Sequence, residues 1–219
     1  MTDLRRRTIT GLLYAAVVLA AAFAPPIAFT VLVAVAIGIG LRELWALRRA
    51  GIVAPVMLVA LLVGGGSLVV LRELGDQGAA HGAATGLPVW LLLAIGATWA
   101  ADIGAYAIGS LAGRRKIAPR ISPGKTWEGT FGGFGAAALA ALGISALFGL
   151  GRPEAAIAAA TIGPLAFAGD LLESLLKRRA GVKDSGTLFP GHGGMLDRID
   201  SLLLVAPLVA VLGSGMMVR

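Results

Sequence analysis

The chain has 219 residues, of which 57% are hydrophobic and only 14% are charged, and its mean hydropathy is +0.85. Soluble domains carry about 25% charged residues, so this composition excludes an ordinary soluble protein and predicts one that lies mostly in a lipid bilayer. The sequence contains no cysteine, which excludes disulfides, thiolate metal sites and a cysteine nucleophile.

Seven apolar runs approach the roughly 20 residues that a helix needs to cross a bilayer. They cover residues 8–24, 27–44, 53–74, 87–112, 130–150, 154–176 and 195–217. We therefore predict a single all-α domain over residues 1–219, a polytopic transmembrane helix bundle of about seven spans. Basic residues precede the first run as in a signal peptide, but it ends at Pro25-Pro26 without a convincing small-residue cleavage site and another apolar run follows at once, so we predict a retained span. The end of the second run, LRELWALRRAG, is predicted to leave the membrane as an amphipathic continuation.

The formal charge of +7 first suggests a nucleic-acid partner. With a cytosolic N-terminus and seven spans, however, 16 of the 19 lysines and arginines fall on the cytosolic side. This asymmetry is the positive-inside pattern of membrane proteins. We therefore predict a multi-pass protein of the cell membrane that does not bind nucleic acid.

The stretch 169–201 carries many charged side chains next to apolar sequence. An ionisable group at membrane depth costs about 2.5–3.5 kcal/mol on insertion scales, so such groups are functional candidates. Spacings of three, four and seven residues put four polar side chains on one face of the sixth helix. These are Asp170, Glu173, Ser174 and Lys177.

Asp197 and Asp200 lie three residues apart at the start of the seventh run and share a face, whereas Arg198 is predicted to point elsewhere. Clustered carboxylates repel one another unless a cation is present. Oxygen ligands of this kind suit Mg²⁺, whose coordination is completed by water and by substrate phosphates. The alternative is that Asp197 and Asp200 are first-turn acids that stabilise the N-terminus of the helix.

The loop GVKDSGTLFPGHGG joins these two helices and is rich in glycine. Glycines allow backbone N–H groups to approach a phosphate, although most glycine-rich loops are simple turns. Lys183 and His192 lie in this loop. His192 either donates to a phosphate or ties the loop together.

A second polar block covers residues 99–130. Asp102 lies within the fourth span, where an acid must face the bundle interior or a wet cavity. The tripeptide GKT suggests a P-loop, but that motif needs a glycine where this chain has Pro119. We predict instead that Lys125 supplies positive charge to a phosphorylated ligand. Glu128 is predicted either to cap the following helix or to pair with a nearby basic residue.

Both blocks resemble a known signature. The run S-x-L-K-R-x4-K-D-x-G-x2-F-P-x-H-G-G-M-x-D-R-I-D at 174–200 is similar to that of the phosphatidate cytidylyltransferases, with no mismatch. The segments D-x2-A-Y-x2-G-x3-G at 102–113 and S-P-x-K-T-x-E-G at 122–129 resemble the second block of the same family. Together they cover about the second half of the chain.

The resemblance implies a Mg²⁺-dependent reaction of CTP with phosphatidate that gives CDP-diacylglycerol and pyrophosphate. It implies metal ligands at Asp170 and Asp197, then Asp200, and allows a second cation. The implied phosphate-binding side chains are Lys125, Lys177, Lys183 and Arg198, and the implied hydrogen-bonding and substrate-binding side chains are Ser122, Ser174, His192 and Asp102. The implied partners are CTP from the cytosol, phosphatidate in the bilayer and a second copy of the chain in a homodimer, with the site facing the cytosol.

Three other functions compete with this one. A CDP-alcohol phosphotransferase also uses membrane aspartates and Mg²⁺, but its D-G-x2-A-R opening does not occur here. A transporter fits the intramembrane acids, but the two halves of the chain do not resemble inverted repeats. A lipid kinase that uses CTP as phosphate donor is distinguished only by its products.

Overall fold

The structure, a computed structural model, describes residues 2–77, 87–189 and 193–215, without the side chains of residues 2–8 and 75–77. The described residues form seven α-helices, a short 3₁₀ turn at Arg48–Ala50 and a two-stranded hairpin. The helices are α1 (Thr2–Phe23), α2 (Pro26–Ala46), α3 (Val53–Gln77), α4 (Val89–Ala112), α5 (Trp127–Phe148), α6 (Arg152–Arg179) and α7 (Leu196–Gly213). The strands are β1 (Lys116–Ala118) and β2 (Ser122–Thr126).

The all-α membrane bundle is confirmed. Five helices, α2 to α6, are long and apolar enough to cross a bilayer, whereas the apolar part of α1 is the shorter segment Ile9–Phe23. Helix α7 carries three charged residues near its start, so its uninterrupted apolar segment is shorter than the helix itself. The count of seven spans and the cytosolic N-terminus stay predictions.

One local expectation needs correction and one element was missed. The segment LRELWALRRAG does not continue α2 to its end, because α2 ends at Ala46 and a 3₁₀ turn follows at Arg48–Ala50. The hairpin was not predicted, because its strands are only three and five residues long. Strand β2 pairs antiparallel with β1 and ends at Thr126, whose side chain accepts from the N–H of Gly129 and caps α5.

Small residues let the helices around the site approach closely, as expected for glycine-rich spans. A Cβ atom at Gly133 of α5 would meet the carbonyl of Ala101 in α4. A Cβ atom at Gly169 of α6 would meet the backbone of Asp200 and Ser201 in α7. The second contact explains why Asp170 and Asp200 can face a common space.

The glycine run at 64–66 in α3 provides a matched test of this packing. A Cβ atom at Gly64 would collide with the backbone of Leu203, whereas one at Gly66 meets nothing within 4 Å. We expect Gly64→Ala to destabilise the protein by about 1–3 kcal/mol through overpacking. Gly66→Ala should be neutral or stabilising by up to about 1 kcal/mol, because alanine favours helix. Thermal unfolding in detergent measures both, and equal effects of the two changes would contradict the close contact of α3 with α7.

Candidate active site

A large cavity of about 780 Å³ lies between α4, α5, α6, α7 and the hairpin. Its polar side chains come from both sequence blocks, which the fold brings together. Four are cationic, namely Lys125, Lys177, Lys183 and Arg198, and five are acidic, namely Asp102, Asp170, Asp184, Asp197 and Asp200. The rest of the wall is mostly small and apolar, including Ala101, Ala105, Gly133, Gly163 and Ala166. The cavity therefore combines a charged region with an apolar one.

Lys125 reaches the cavity from strand β2 and pairs with Asp170 of α6. Its ammonium also lies 5.0 Å from the ring centroid of Phe167, one turn before Asp170, in cation–π geometry. The second carboxylate oxygen of Asp170 accepts from the Ser174 hydroxyl at 3.3 Å. The hairpin thus holds the Lys125 ammonium beside Asp170, the acid that the sequence predicted as a metal ligand.

Lys177, two turns after Asp170, lies between two carboxylates. Its Nζ is 2.5 Å from Oε2 of Glu173 on the same helix and 2.5 Å from Oδ1 of Asp197 on α7. Glu173 is fully buried, so Lys177 is its charge partner in the protein interior. This lysine therefore ties α6 to α7 and also lines the cavity.

The other carboxylate oxygen of Asp197 holds the loop that precedes α7. It accepts from the N–H groups of Ser185 at 2.9 Å and Gly194 at 2.8 Å, and from the Ser185 hydroxyl at 2.7 Å. This arrangement agrees with the alternative in which Asp197 is a first-turn acid of α7. The assignment of Asp197 as a metal ligand stays a prediction, because both its oxygens have protein partners here.

Asp102 and Asp200 face the cavity without a salt bridge to any residue within the described ranges. They lie near enough to Asp170 for the three carboxylates to repel one another. Repulsion of this kind favours a bound cation. No three Asp, Glu or His side chains of the described part of the chain converge into a ready-made cage. Mg²⁺ does not need such a cage, since it takes one or two carboxylates and completes its shell with water and phosphates.

Most of the site residues predicted from the sequence line this cavity. Nine of the eleven candidates line it, namely Asp102, Ser122, Lys125, Asp170, Lys177, Lys183, Asp197, Arg198 and Asp200. Ser174 lies behind Asp170 and bonds to it, and His192 falls outside the described residues. The expectation that Arg198 points away was wrong, because Arg198 borders this wide cavity together with Asp197 and Asp200. Glu128 pairs as expected, accepting from the N–H groups of Arg114 and Arg115.

One residue close to the site was missed. Glu43 of α2 is only 8% exposed and bonds to the loop and to the start of α7. The helical spacing of Gly40, Glu43, Leu44 and Leu47 is a sequence signal that could have identified Glu43, because all four residues are buried. Its spacing from these buried neighbours marks it as inward-facing, whereas the adjacent Arg42 is exposed.

The fold and this cavity define a membrane helix bundle with a strongly charged cavity between its helices. The model of the family described as "Cytidylyltransferase family" matches residues 80–215, and the chain belongs to that family. It is 47% identical over 117 residues to a phosphatidate cytidylyltransferase of Pseudomonas aeruginosa, covering 52% of this chain and 43% of that protein. It is 49% identical over 129 residues to a phosphatidate cytidylyltransferase of Synechocystis, covering 57% of this chain and 43% of that protein.

A third relative is the Escherichia coli protein YnbB, described as uncharacterized. It is 46% identical over 141 residues, which cover 64% of this chain and 45% of YnbB. The matched regions thus span less than half the length of these three relatives. The family membership confirms the resemblance that the two sequence blocks indicated.

Proposed function

We propose that this protein is a phosphatidate cytidylyltransferase that converts CTP and phosphatidate into CDP-diacylglycerol and pyrophosphate. The observation that carries this proposal is a cavity in which four cationic and five acidic side chains meet an apolar wall built from membrane-length helices. Its volume of about 780 Å³ lies within the roughly 300–1,000 Å³ typical of small-molecule sites.

The apolar wall suits a lipid substrate. Ala101 and Ala105 lie on one face of α4, and Gly133 and Ala166 face them from α5 and α6. These side chains present no polar group that acyl chains or glycerol would have to desolvate. We infer that phosphatidate enters from the bilayer with its phosphate towards Lys125, and that CTP enters from the cytosol.

The reaction needs positioning more than acid–base catalysis. An oxygen of the lipid phosphomonoester attacks the α-phosphorus of CTP, a new P–O–P bond forms, and the bond to the β-phosphate breaks to release pyrophosphate. A phosphomonoester has its second pKa near 6, so the nucleophile is already anionic at neutral pH. Catalysis then rests on alignment and on neutralisation of charge.

The cationic side chains supply part of that neutralisation. Lys183 and Arg198 lie on the loop and α7 side of the cavity and Lys125 lies on the hairpin, so they can hold two phosphorylated ligands from opposite sides. The cavity is lined by five carboxylates and four cationic side chains. These side chains alone do not supply enough positive charge to neutralise a triphosphate and a phosphomonoester together. We propose that Asp170 and Asp200 hold Mg²⁺, which when bound offsets phosphate charge. A second cation, a homodimer and the cytosolic orientation stay predictions.

The proposal is tested by pyrophosphate release from CTP with the purified protein in detergent. We expect release with phosphatidate and Mg²⁺, none after EDTA, and recovery when Mg²⁺ is restored in excess. Diacylglycerol, which lacks the attacking phosphate, should not support release. Equal release with diacylglycerol, or full release in EDTA, would contradict the proposed reaction.

A further inference from the structure

Helix α7 begins without a side-chain cap of its own, although its first N–H groups need acceptors. Glu43 provides them from α2, across 152 positions of sequence from Met195. Its Oε1 accepts from the N–H of Met195 at 2.9 Å, and its Oε2 accepts from the N–H of Leu196 at 2.9 Å. A carboxylate at a helix N-terminus is also favoured by the helix dipole.

The same carboxylate reaches the loop before α7 through Ser185. The Ser185 hydroxyl lies 3.1 Å from Oε2 of Glu43 and 2.7 Å from Oδ2 of Asp197. A hydroxyl has one proton, so it donates to one of the two acids at a time. Since Asp197 also binds Lys177, a continuous chain of polar contacts joins α2 to the wall of the cavity.

The space around Glu43 is shaped by two glycines of the loop. A Cβ atom at Gly186 would meet the carboxylate and Cγ of Glu43, and one at Gly194 would meet the same carboxylate and the Ser185 hydroxyl. The loop backbone therefore closes directly on the acid. Glu43 itself does not line the cavity, so any effect on the reaction passes through the loop and α7.

We propose that Glu43 is a positioning residue that fixes the loop 183–189 and the first turn of α7, so that Lys183, Arg198 and Asp200 face the cavity together. Glu43 lies outside the region matched by the family model, so the N-terminal half contributes to the geometry of the site. The catalytic consequence rests on the proposed cytidylyl transfer, whereas the structural link does not.

The decisive variant is Glu43→Gln. An amide has one oxygen, so its NH₂ group would face one of the two N–H donors, and a buried donor would lose its acceptor. We expect kcat/KM for cytidylyl transfer to fall about 10²-fold, because small misplacements of aligned groups carry losses of that order. Glu43→Asp keeps the charge and both acceptors and should recover most of this loss. Arg42→Gln, on the exposed side of the same turn, is the matched control and should stay near wild type.

Hydrogen exchange gives a readout that is independent of activity. In Glu43→Gln, the amides of residues 193–200 should exchange at least about tenfold faster, with α4 and α5 unchanged. Gly186→Ala displaces the carboxylate from the loop side and should give the same local pattern if Glu43→Gln fails to fold. Unchanged exchange at 193–200 in a folded variant, or a Glu43→Asp variant as impaired as Glu43→Gln, would overturn the proposal. If the wild-type protein transfers nothing while exchange responds as expected, the proposed function fails and the structural role of Glu43 stands.

Discussion

Replacing Asp170 with asparagine is expected to lower cytidylyl transfer at least about 10²-fold, the loss typical when one charge-stabilising group of an active site is removed. Asp170 is central because it pairs with Lys125, accepts from Ser174 and shares the cavity with Asp102 and Asp200. Asparagine keeps the size of the side chain but removes the negative charge that Lys125 and a cation both require.

The matched control for this change is Ser174→Ala. It removes only the 3.3 Å bond to Asp170 and should reduce the rate about fivefold, the equivalent of roughly 1 kcal/mol. Both variants are measured as transfer of label from CTP to lipid after folding is checked by thermal unfolding. A folded Asp170→Asn protein that keeps more than a tenth of wild-type activity would show that the reaction does not depend on the Asp170 carboxylate.

Replacing Lys177 with methionine is expected to have the largest effect on stability. The change leaves Glu173, which is fully buried, without its cation and also leaves Oδ1 of Asp197 without its partner. Removing one partner of a buried ion pair typically costs about 3–5 kcal/mol. We expect this loss in unfolding measured in detergent, together with loss of activity.

Two further variants isolate the cause of this instability. Adding Glu173→Gln to Lys177→Met removes the uncompensated buried charge and should restore a large part of the lost stability. Arg179→Met removes an exposed charge at the end of the same helix and should change stability by no more than about 0.5 kcal/mol. A double variant no more stable than Lys177→Met alone would show that the Glu173 charge is not the source of the cost.

The polar side chains of the site were predictable because they stand out from apolar sequence. Asp102 has no place in a membrane span except at a cavity, and it lines one. The helical spacing of Asp170, Ser174 and Lys177 placed them on one face, and the bonds from Ser174 to Asp170 and from Lys177 to Glu173 follow that spacing.

What the sequence did not reveal depends on contacts between distant segments. The pairing of Lys125 with Asp170 needs the hairpin, whose short strands carry little hydrophobic pattern. The bond from Ser185 to Glu43 joins residues 142 positions apart, and no local propensity encodes it. The role of Asp197 was also not decided by the sequence, because an acid at the start of a helix can be either a helix cap or a metal ligand.

The central claim is that cytidylyl, rather than phosphoryl, passes from CTP to the lipid. The most direct measurement gives the purified protein phosphatidate micelles and Mg²⁺, with CTP labelled at the α-phosphate in one sample and at the γ-phosphate in the other. Label is expected in the lipid phase only from the α position. Label in lipid only from the γ position would identify a CTP-dependent kinase and contradict cytidylyl transfer.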